Sequence, residues 1–330
     1  MLELYLTKPG DLQLREGGSV PSPSNEEVKI KVTYGGICGS DLGVFKGSLK
    51  HASYPLRPGH ELVGTIIEAG QDVKYKVGMR VVIFPNSFCG ECEFCLKGKT
   101  NICRHKKSIG VNTNGGFSEE LVISAKYVLP IPDDMADERA VLIEPFAVVV
   151  HALNKVNLAP GMTVAIIGCG NEGMLAAALA NHLGARVTAI DINPVKLQRV
   201  TTLGDIKAVH PAEITDDTFD VVIEAAGAKN AVEQAVELVR PGGDIVLIGL
   251  AQQADLPIVQ IVRNEITLHG SIIYTFPHDF QQSIEYLKKK EFNVSPVISK
   301  IVPFREYKMA YETAISGDYG KVVLNFKVNE

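Results

Sequence analysis

The first 80 residues alternate apolar and polar positions over short stretches that turn residues separate. Residues 28–32 read Val-Lys-Ile-Lys-Val, which is the alternation of a half-buried strand. Residues 64–70 and 79–83 predict two more strands, and the glycine pair at 35–36 marks one of the turns. The pattern predicts a β-rich domain that is barrel-like.

Beyond residue 160, apolar runs of strand length alternate with helical segments. The predicted strands are 163–167, 186–190, 219–223 and 244–249, and the predicted helices are 174–183, 231–239 and 280–290. Strands that alternate with helices predict a parallel, doubly wound sheet. The apolar run 146–150 predicts a helix that joins the two domains, and the mixed tail 297–326 is expected to rejoin the first domain.

Length and charge narrow the class of protein. A chain of 330 residues favours two domains, and a net charge of -5 without a basic run argues against nucleic acid as a partner. Charged and polar residues interrupt the longest apolar stretches, which argues against a membrane span. The N-terminus lacks the basic and apolar regions of a signal peptide, so we expect a cytoplasmic protein.

Four of the six cysteines lie within one short segment, residues 89–103. They are Cys89, Cys92, Cys95 and Cys103. Four thiolates at this spacing predict a tetrahedral Zn²⁺ site with no open position, which serves a structural purpose. The alternatives are an iron–sulfur cluster and four free buried cysteines.

A second set of metal-binding residue types is spread along the chain. Cys38, His60, Glu61 and Glu144 offer a thiolate, an imidazole and two carboxylates, and glycines flank His60 and Glu61. Three protein ligands of these types leave one position open on a catalytic Zn²⁺. Cys38 and His60 are the expected ligands, with either Glu61 or Glu144 as the third. The alternative for Glu61 is a hydrogen-bonding role behind the ligands, and for Glu144 a carboxylate at a helix start.

The predicted strand 163–167 runs directly into a glycine-rich fingerprint. Its members are Gly168, Gly170, Asn171, Glu172 and Gly173. In this context the motif predicts a dinucleotide whose pyrophosphate lies at a helix N-terminus. Asp191 ends the next strand, where a carboxylate accepts hydrogen bonds from ribose hydroxyls, and Lys196 is the nearest cation behind it. This pattern favours NAD over NADP.

Together these residues resemble those of one family, the zinc-containing medium-chain dehydrogenase/reductases of the alcohol dehydrogenase type. Gly59-His60-Glu61 with Gly64 and Gly70 resembles its zinc signature, and the four clustered cysteines resemble its structural zinc lobe. Residues 109–111, 115–117 and 144–147 are most similar to the branch of polyol, sugar-acid and vicinal-diol dehydrogenases.

The resemblance implies a fold, cofactors and an assembly. The fold is α/β, with a GroES-like β-rich catalytic domain over 1–147 and 291–330 and a Rossmann NAD-binding domain over 148–290. The cofactors are NAD and two Zn²⁺ per chain, one catalytic and one structural. The implied assembly is a homodimer or homotetramer.

Two positions depart from the sorbitol-type pattern. Gly43 stands where such members usually carry a histidine, and Ile273 stands where they carry an arginine before Tyr274. The first change puts a simple relay from Ser40 to a histidine in doubt, although Ser40 remains the candidate proton carrier. The second leaves a pocket less suited to gripping a long polyol.

The predicted activity is hydride transfer between NAD and a secondary alcohol, namely a polyol, a sugar acid or a vicinal diol. The metal would lower the pKa of the substrate hydroxyl. The alternative is a non-catalytic NAD-binding redox sensor or structural protein on the same fold. Such a protein would keep the glycine motif and Asp191 but would not need Cys38, His60 and Glu144 together.

Overall fold

The computed structural model describes residues 1–214 and 218–327, and the chain divides into two compact units. The first unit comprises Met1–Glu144, Thr275–Ile284 and Ile298–Glu330, and the second comprises Pro145–Tyr274 and Glu285–Val297. The resemblance implied a second domain over 148–290, and this division instead assigns 275–284 to the first unit. Among the residues described, no helix combines the length and the apolar character needed to cross a membrane.

Short strands dominate the first part of the chain. In order, the elements are β1 (Leu2–Leu6), β2 (Leu12–Glu16), β3 (Glu27–Ile37), α1 (Gly39–Lys46), β4 (Glu61–Ala69), β5 (Arg80–Ile83), β6 (Glu120–Ser124), β7 (Val128–Pro130) and α2 (Asp137–Ala140). The β-rich prediction is confirmed, and α1 is an element that the turn-rich sequence around it did not predict.

The middle of the chain alternates helices and strands. The elements are α3 (Ile143–Leu153), β8 (Thr163–Ile167), α4 (Asn171–His182), β9 (Arg186–Ile190), α5 (Pro194–Val200), β10 (Ile206–Val209), β11 (Phe219–Glu224), α6 (Lys229–Leu238), β12 (Val239–Leu247), α7 (Ile258–Arg263), β13 (Thr267–Gly270) and α8 (His278–Leu287). The strands form one parallel sheet in the order β10-β9-β8-β11-β12-β13. This confirms the doubly wound sheet.

The order of this sheet reverses between β8 and β11, so the carboxyl ends of these strands form the switch point where such sheets bind ligands. β12 begins earlier than the predicted strand 244–249. Val239 pairs with Phe219, and a shift in register accommodates the residues before Asp244.

The tail adds β14 (Ile298–Pro303), α9 (Tyr307–Ser316) and β15 (Lys321–Asn325). β15 pairs antiparallel with β3, so the tail rejoins the first unit in the sheet β14-β15-β3-β4-β5-β7, to which β6 is added along β3. The central strand β3 therefore has the tail on one side and β4 on the other.

The core of the first unit fixes these strands. Leu4, Ile30, Leu62, Phe117 and Leu324 are buried in one cluster. Each fully buried side chain of this size contributes about 1.5–3 kcal/mol relative to an exposed one. Cys38 directly follows β3, and His60 and Glu61 lie at the start of β4, so the packing of this core holds their backbone positions without a metal.

Candidate active site

Cys38, His60 and Glu61 lie together in the first unit. One ligand atom from each lies within 4.8 Å of the others. Cys38 comes directly after β3, and His60 comes directly before β4, whose first residue is Glu61. Because β3 and β4 pair antiparallel, with Gly36 opposite Glu61, the end of one strand meets the beginning of the other. Strand pairing thus assembles the three ligand types.

Asp41 holds this meeting point in place. Its carboxylate accepts hydrogen bonds from the backbone N–H of Cys38 at 3.0 Å and of Gly59 at 3.1 Å. Asp41 is thus a buried carboxylate that binds the backbone at Cys38 and directly before His60.

The ring of His60 lies between Asp41 and Ser40. Its Nδ1 is 3.3 Å from Asp41 Oδ1, but without the alignment of a hydrogen bond, so Nδ1 is a buried polar atom without a partner. Its Nε2 is 3.3 Å from Ser40 Oγ. A carboxylate behind a histidine ring is the usual arrangement at metal sites, because it orients the ring and raises its basicity.

The electrostatics of the cluster favour protons when no cation is bound. Burial raises the pKa of the Cys38 thiol, and the charge of Glu61 raises it further. Burial would lower the pKa of His60, but the negative charges of Asp41 and Cys38 beside the ring raise it well above its ordinary value. A divalent cation would displace these protons, as binding to thiolate and imidazole ligands does.

Glu61 is completely buried, and its two oxygens differ. Oε1 accepts a hydrogen bond from Lys321 Nζ at 2.5 Å, whereas Oε2 is buried and has no hydrogen-bond partner among residues 1–214 and 218–327. A Cβ at position 36 would lie 2.0 Å from Oε2, so Gly36 gives this carboxylate its room. An orphaned carboxylate oxygen beside a thiol and an imidazole fits a metal ion such as zinc.

Glu144, the other candidate for the third ligand, lies in the first turn of α3 and is buried. It does not belong to the group of ligand atoms that the structure brings within 4.8 Å in the described part of the chain. The arrangement of side chains therefore brings Glu61, rather than Glu144, to Cys38 and His60.

The four clustered cysteines converge in a separate group. Their sulfurs all lie within 4.8 Å of one another, with Cys103 Sγ 3.6 Å from Cys89 Sγ and Cys89 Sγ 3.9 Å from Cys95 Sγ. Tetrahedral zinc with bonds of about 2.3 Å places sulfurs about 3.8 Å apart. The backbone hydrogen bond from Cys95 has the largest effect on Cys92 and, with that from Arg104, lowers the pKa of its thiol to about 6. This group fits a closed zinc site.

The glycine fingerprint lies in the second unit, between β8 and α4. Gly168 has φ +94°, and a Cβ at Gly173 would lie 1.7 Å from the Gly168 carbonyl oxygen, so both positions need glycine. Gly170 caps α4, which places Asn171 and Glu172 in its first turn. The turn thus presents the N-terminus of a twelve-residue helix, where a pyrophosphate binds.

Asp191 follows β9 and faces the fingerprint. Its Oδ2 accepts a hydrogen bond from the backbone N–H of Cys169 at 2.7 Å, and its Oδ1 accepts one from Asn193 N–H at 2.8 Å. Asp191, Gly168 and Ala226 are among the residues that line a cavity of about 550 Å³. Lys196 is partly buried, and its charge acts on Cys169.

Glu224, at the end of β11, is a buried carboxylate that the sequence did not single out. Its Oε1 accepts hydrogen bonds from the N–H groups of Ala226 and Gly227, at 2.8 and 2.7 Å, and so fixes the turn that packs against Gly168. A glutamate that ends a buried strand before Ala-Ala-Gly is the only signal in the sequence for this role.

Comparisons with known proteins agree with this architecture. Residues 24–133 match the family model of the alcohol dehydrogenase GroES-like domain, and residues 173–289 match that of the zinc-binding dehydrogenases. The chain is 34% identical to D-arabitol-phosphate dehydrogenase of Enterococcus avium, over 94% of this chain and 93% of that protein.

Two solved structures have the same fold over nearly the whole chain. Galactitol-1-phosphate dehydrogenase from Escherichia coli is 30% identical, with a TM-score of 0.91 over 98% of this chain and 100% of that one. A protein of E. coli CFT073 described as short chain alcohol dehydrogenase (rspB), complexed with NADH, is 28% identical, with a TM-score of 0.92 over 99% of both chains. The chain belongs to the zinc-containing medium-chain dehydrogenases of the alcohol dehydrogenase type, in their polyol dehydrogenase branch.

Proposed function

We propose that this protein is a zinc-dependent oxidoreductase that transfers a hydride between NAD and a secondary alcohol of the polyol, sugar-acid or vicinal-diol class. The observation that carries the proposal is the group of Cys38, His60 and Glu61, in which the buried Glu61 Oε2 has no hydrogen-bond partner in the described part of the chain. Three ligands of these types are typical of catalytic zinc, which keeps a fourth position for substrate.

The same proposal assigns two zinc ions to each chain. Cys38, His60 and Glu61 would hold the catalytic ion, with Glu144 outside the direct ligand set. Cys89, Cys92, Cys95 and Cys103 would hold the structural ion, which the spacing of their sulfurs supports. A closed four-sulfur site contributes folding free energy to its lobe and has no position for a substrate.

NAD is the proposed cofactor, and Asp191 is the proposed selector. The Asp191 carboxylate lies at the end of β9, the neighbour of β8, and binds the backbone of the fingerprint turn that follows β8. A carboxylate there pairs with ribose hydroxyls and repels a 2′-phosphate. Gly168, Gly170, Asn171, Glu172 and Gly173 would form the pyrophosphate site at the start of α4, with Lys196 as the cation behind it.

Bound zinc would lower the pKa of the substrate hydroxyl. Ser40 Oγ lies beside the ligand set, 3.3 Å from His60 Nε2, and would accept the hydroxyl proton. Because Gly43 offers no side chain to continue a relay and Ser40 is partly exposed, the proton would pass from Ser40 Oγ to water. The carbinol carbon of the secondary alcohol would lose a hydride to NAD⁺, so that the alcohol and NAD⁺ would give a ketone, NADH and one proton.

We further propose that the protein forms a homodimer or homotetramer in the cytoplasm. Ile258, Val259 and Val262 of α7 are exposed apolar side chains, next in sequence to β13, the edge strand of the parallel sheet. A surface of this kind favours association between copies. The six cysteines are free of disulfides, which suits a reducing compartment.

The experiment is a substrate panel with the purified, zinc-loaded chain. Sorbitol, arabitol, a sugar acid, 2,3-butanediol and two phosphorylated polyols would each be added with NAD, and NADH formation would be read as absorbance. We expect turnover with members of one of these classes and loss of that turnover in Cys38→Ser. Absence of NADH formation across the panel, together with tight NAD binding, would favour the non-catalytic sensor instead.

A further inference from the structure

Glu61 and Lys321 form an ion pair that is completely buried. Lys321 Nζ lies 2.5 Å from Glu61 Oε1, and both side chains have 0% exposure. Lys321 begins β15, and Glu61 begins β4. These two strands flank β3 from opposite sides, so the pair reaches across the central strand.

The place where the pair crosses β3 is Gly36. This residue is opposite Glu61 on one side and Val323 on the other. Because Gly36 has no side chain, the carboxylate of Glu61 occupies the space where a Cβ would lie. The sequence thus leaves room in a packed sheet for a lysine and a glutamate that are 260 positions apart.

Burying an ammonium and a carboxylate is expensive, and such pairs are often no better for stability than apolar residues of similar size. A stabilising role is therefore a weak explanation for Lys321. The local effect of the lysine is specific: it binds one oxygen of Glu61, while the other, Oε2, is buried without a hydrogen bond to any residue that the structure describes.

This asymmetry has a consequence for a metal. A carboxylate can bind a cation through one oxygen or through both. A catalytic zinc with three protein ligands needs Glu61 to supply one oxygen only, since a second would occupy the position that substrate must take.

The charge of Lys321 also reaches the other ligands. Burial and the charge of Glu61 raise the pKa of Cys38, and the positive charges of His60 and Lys321 act against that rise. A thiolate and a carboxylate carry two negative charges, and Lys321 brings one positive charge to the same buried site.

We propose that Lys321 is a positioning residue that restricts Glu61 to a single metal-binding oxygen and so keeps the substrate position open. The inference rests on the proposed zinc chemistry of this site. It concerns how Glu61 is held, not whether the site binds a metal.

The test uses the neutral variants Lys321→Met and Lys321→Gln with cobalt in place of zinc. The visible spectrum of Co²⁺ reports coordination number, and release of metal to a chelator reports how tightly it is held. In both variants we expect weaker cobalt bands, as a second Glu61 oxygen joins the metal, with metal release no faster than in wild type. Turnover should fall by about 10–100-fold, the usual effect of losing a group that holds a ligand.

Lys29→Met is the matched control. Lys29 Nζ also pairs with a glutamate of β4, at 2.5 Å from Glu68 Oε1. Glu68 lies near the opposite end of that strand from Glu61, so the substitution removes a similar ion pair away from the site. Its cobalt spectrum and turnover should equal those of wild type.

Two outcomes would overturn the role of Lys321. One is a wild-type cobalt spectrum and wild-type turnover in a folded Lys321→Met or Lys321→Gln chain. The other is faster metal release in step with a lower melting temperature, which is what a merely structural pair predicts. If the wild-type chain itself holds no metal at Cys38 and His60, the proposed function fails instead.

Discussion

At the scale of single residues, the side chain of Asp41 fixes the backbone beside two candidate metal ligands. Its two oxygens accept hydrogen bonds from the backbone N–H groups of Cys38 and Gly59. Cys38 is one candidate ligand, and Gly59 directly precedes another, His60. Its carboxylate is 1% exposed and faces the ring of His60. The ligands are thus oriented by a group that does not itself belong to the cluster of ligand atoms.

Asp41→Asn should weaken metal binding at this site. The amide can accept only through one oxygen, and its NH₂ group would face a backbone N–H. We expect about 10–100-fold weaker zinc binding, the range seen for groups that orient ligands. Competition with a chromophoric chelator measures it. The exposed Asp72→Asn is the control, and equal affinities for both variants and wild type would contradict the role.

Asp191 carries the cofactor prediction. A carboxylate that faces a 2′-phosphate without compensating cations costs a few kcal/mol, so NAD should be favoured over NADP by roughly two to three decades in kcat/KM. Asp191→Ser with Ile192→Arg should narrow or invert this ratio, because Ile192 is exposed and an arginine there offers a phosphate fork.

The measurement is kcat/KM for both cofactors with one alcohol held saturating. Ile192→Arg alone serves as the control and should change the ratio less than the pair does. Equal use of the two cofactors by wild type would show that Asp191 is not the selector, as would an unmoved ratio in the double variant.

At the scale of elements, Asp220 ties together the starts of two central strands. Its Oδ2 accepts hydrogen bonds from Thr163 N–H at 2.6 Å and from Thr163 Oγ1 at 2.7 Å, and Arg240 pairs with its other oxygen. Burial would raise the pKa of Asp220, but these hydrogen bonds and the Arg240 charge lower it below its ordinary value.

Asp220→Asn should therefore destabilise the second unit by about 1–3 kcal/mol at neutral pH. Since the folded pKa is depressed, this stability is present above the ordinary aspartate pKa of about 3.9 and is lost as the pH falls through the folded pKa. Melting temperatures of wild type and variant should converge below about pH 4. A gap that stays constant as the pH falls below about 4 would contradict this role of the Asp220 carboxylate.

The elements also show why pattern alone predicted much of the fold. The buried runs at 163–167 and 186–190 have strand length and became β8 and β9 with those bounds. By contrast, α1 contains Gly39 and Gly43 and follows turn residues, so propensity argued against it. β10 has only four residues, too few for a period to emerge.

At the same scale, the sequence indicated the types of candidate metal ligand but not their arrangement in space. In the sequence, Glu61 and Glu144 were both candidates for the third metal ligand. Glu61 follows His60 between glycines, and Glu144 precedes the predicted helix 146–150. Strand pairing brings Glu61 to Cys38 and His60, and pairing is a long-range property that the local sequence does not show. Lys321 carried no signal at all, because its partner lies 260 positions away and only the order of strands brings the two together.

At the scale of the whole molecule, the first unit contains two groups of candidate metal ligands that differ in chemistry. The group of Cys38, His60 and Glu61 mixes ligand types, and the other group consists of four sulfurs. The first suits a site with an open position, and the second suits a closed one. A substitution in the first group should therefore abolish activity without loss of structural stability, and a substitution in the second group should lower structural stability.

The most direct measurement is zinc content per chain, by mass spectrometry of the metal, for wild type, Cys38→Ser and Cys95→Ser, alongside turnover and melting temperature. We expect two zinc ions in wild type. Cys38→Ser should retain one, with no turnover and a melting temperature close to that of wild type. Cys95→Ser should lower the melting temperature, since it opens the four-sulfur site. Two tightly bound zinc ions in Cys38→Ser, or a wild-type chain with one, would contradict the central claim that Cys38, His60 and Glu61 hold a catalytic metal.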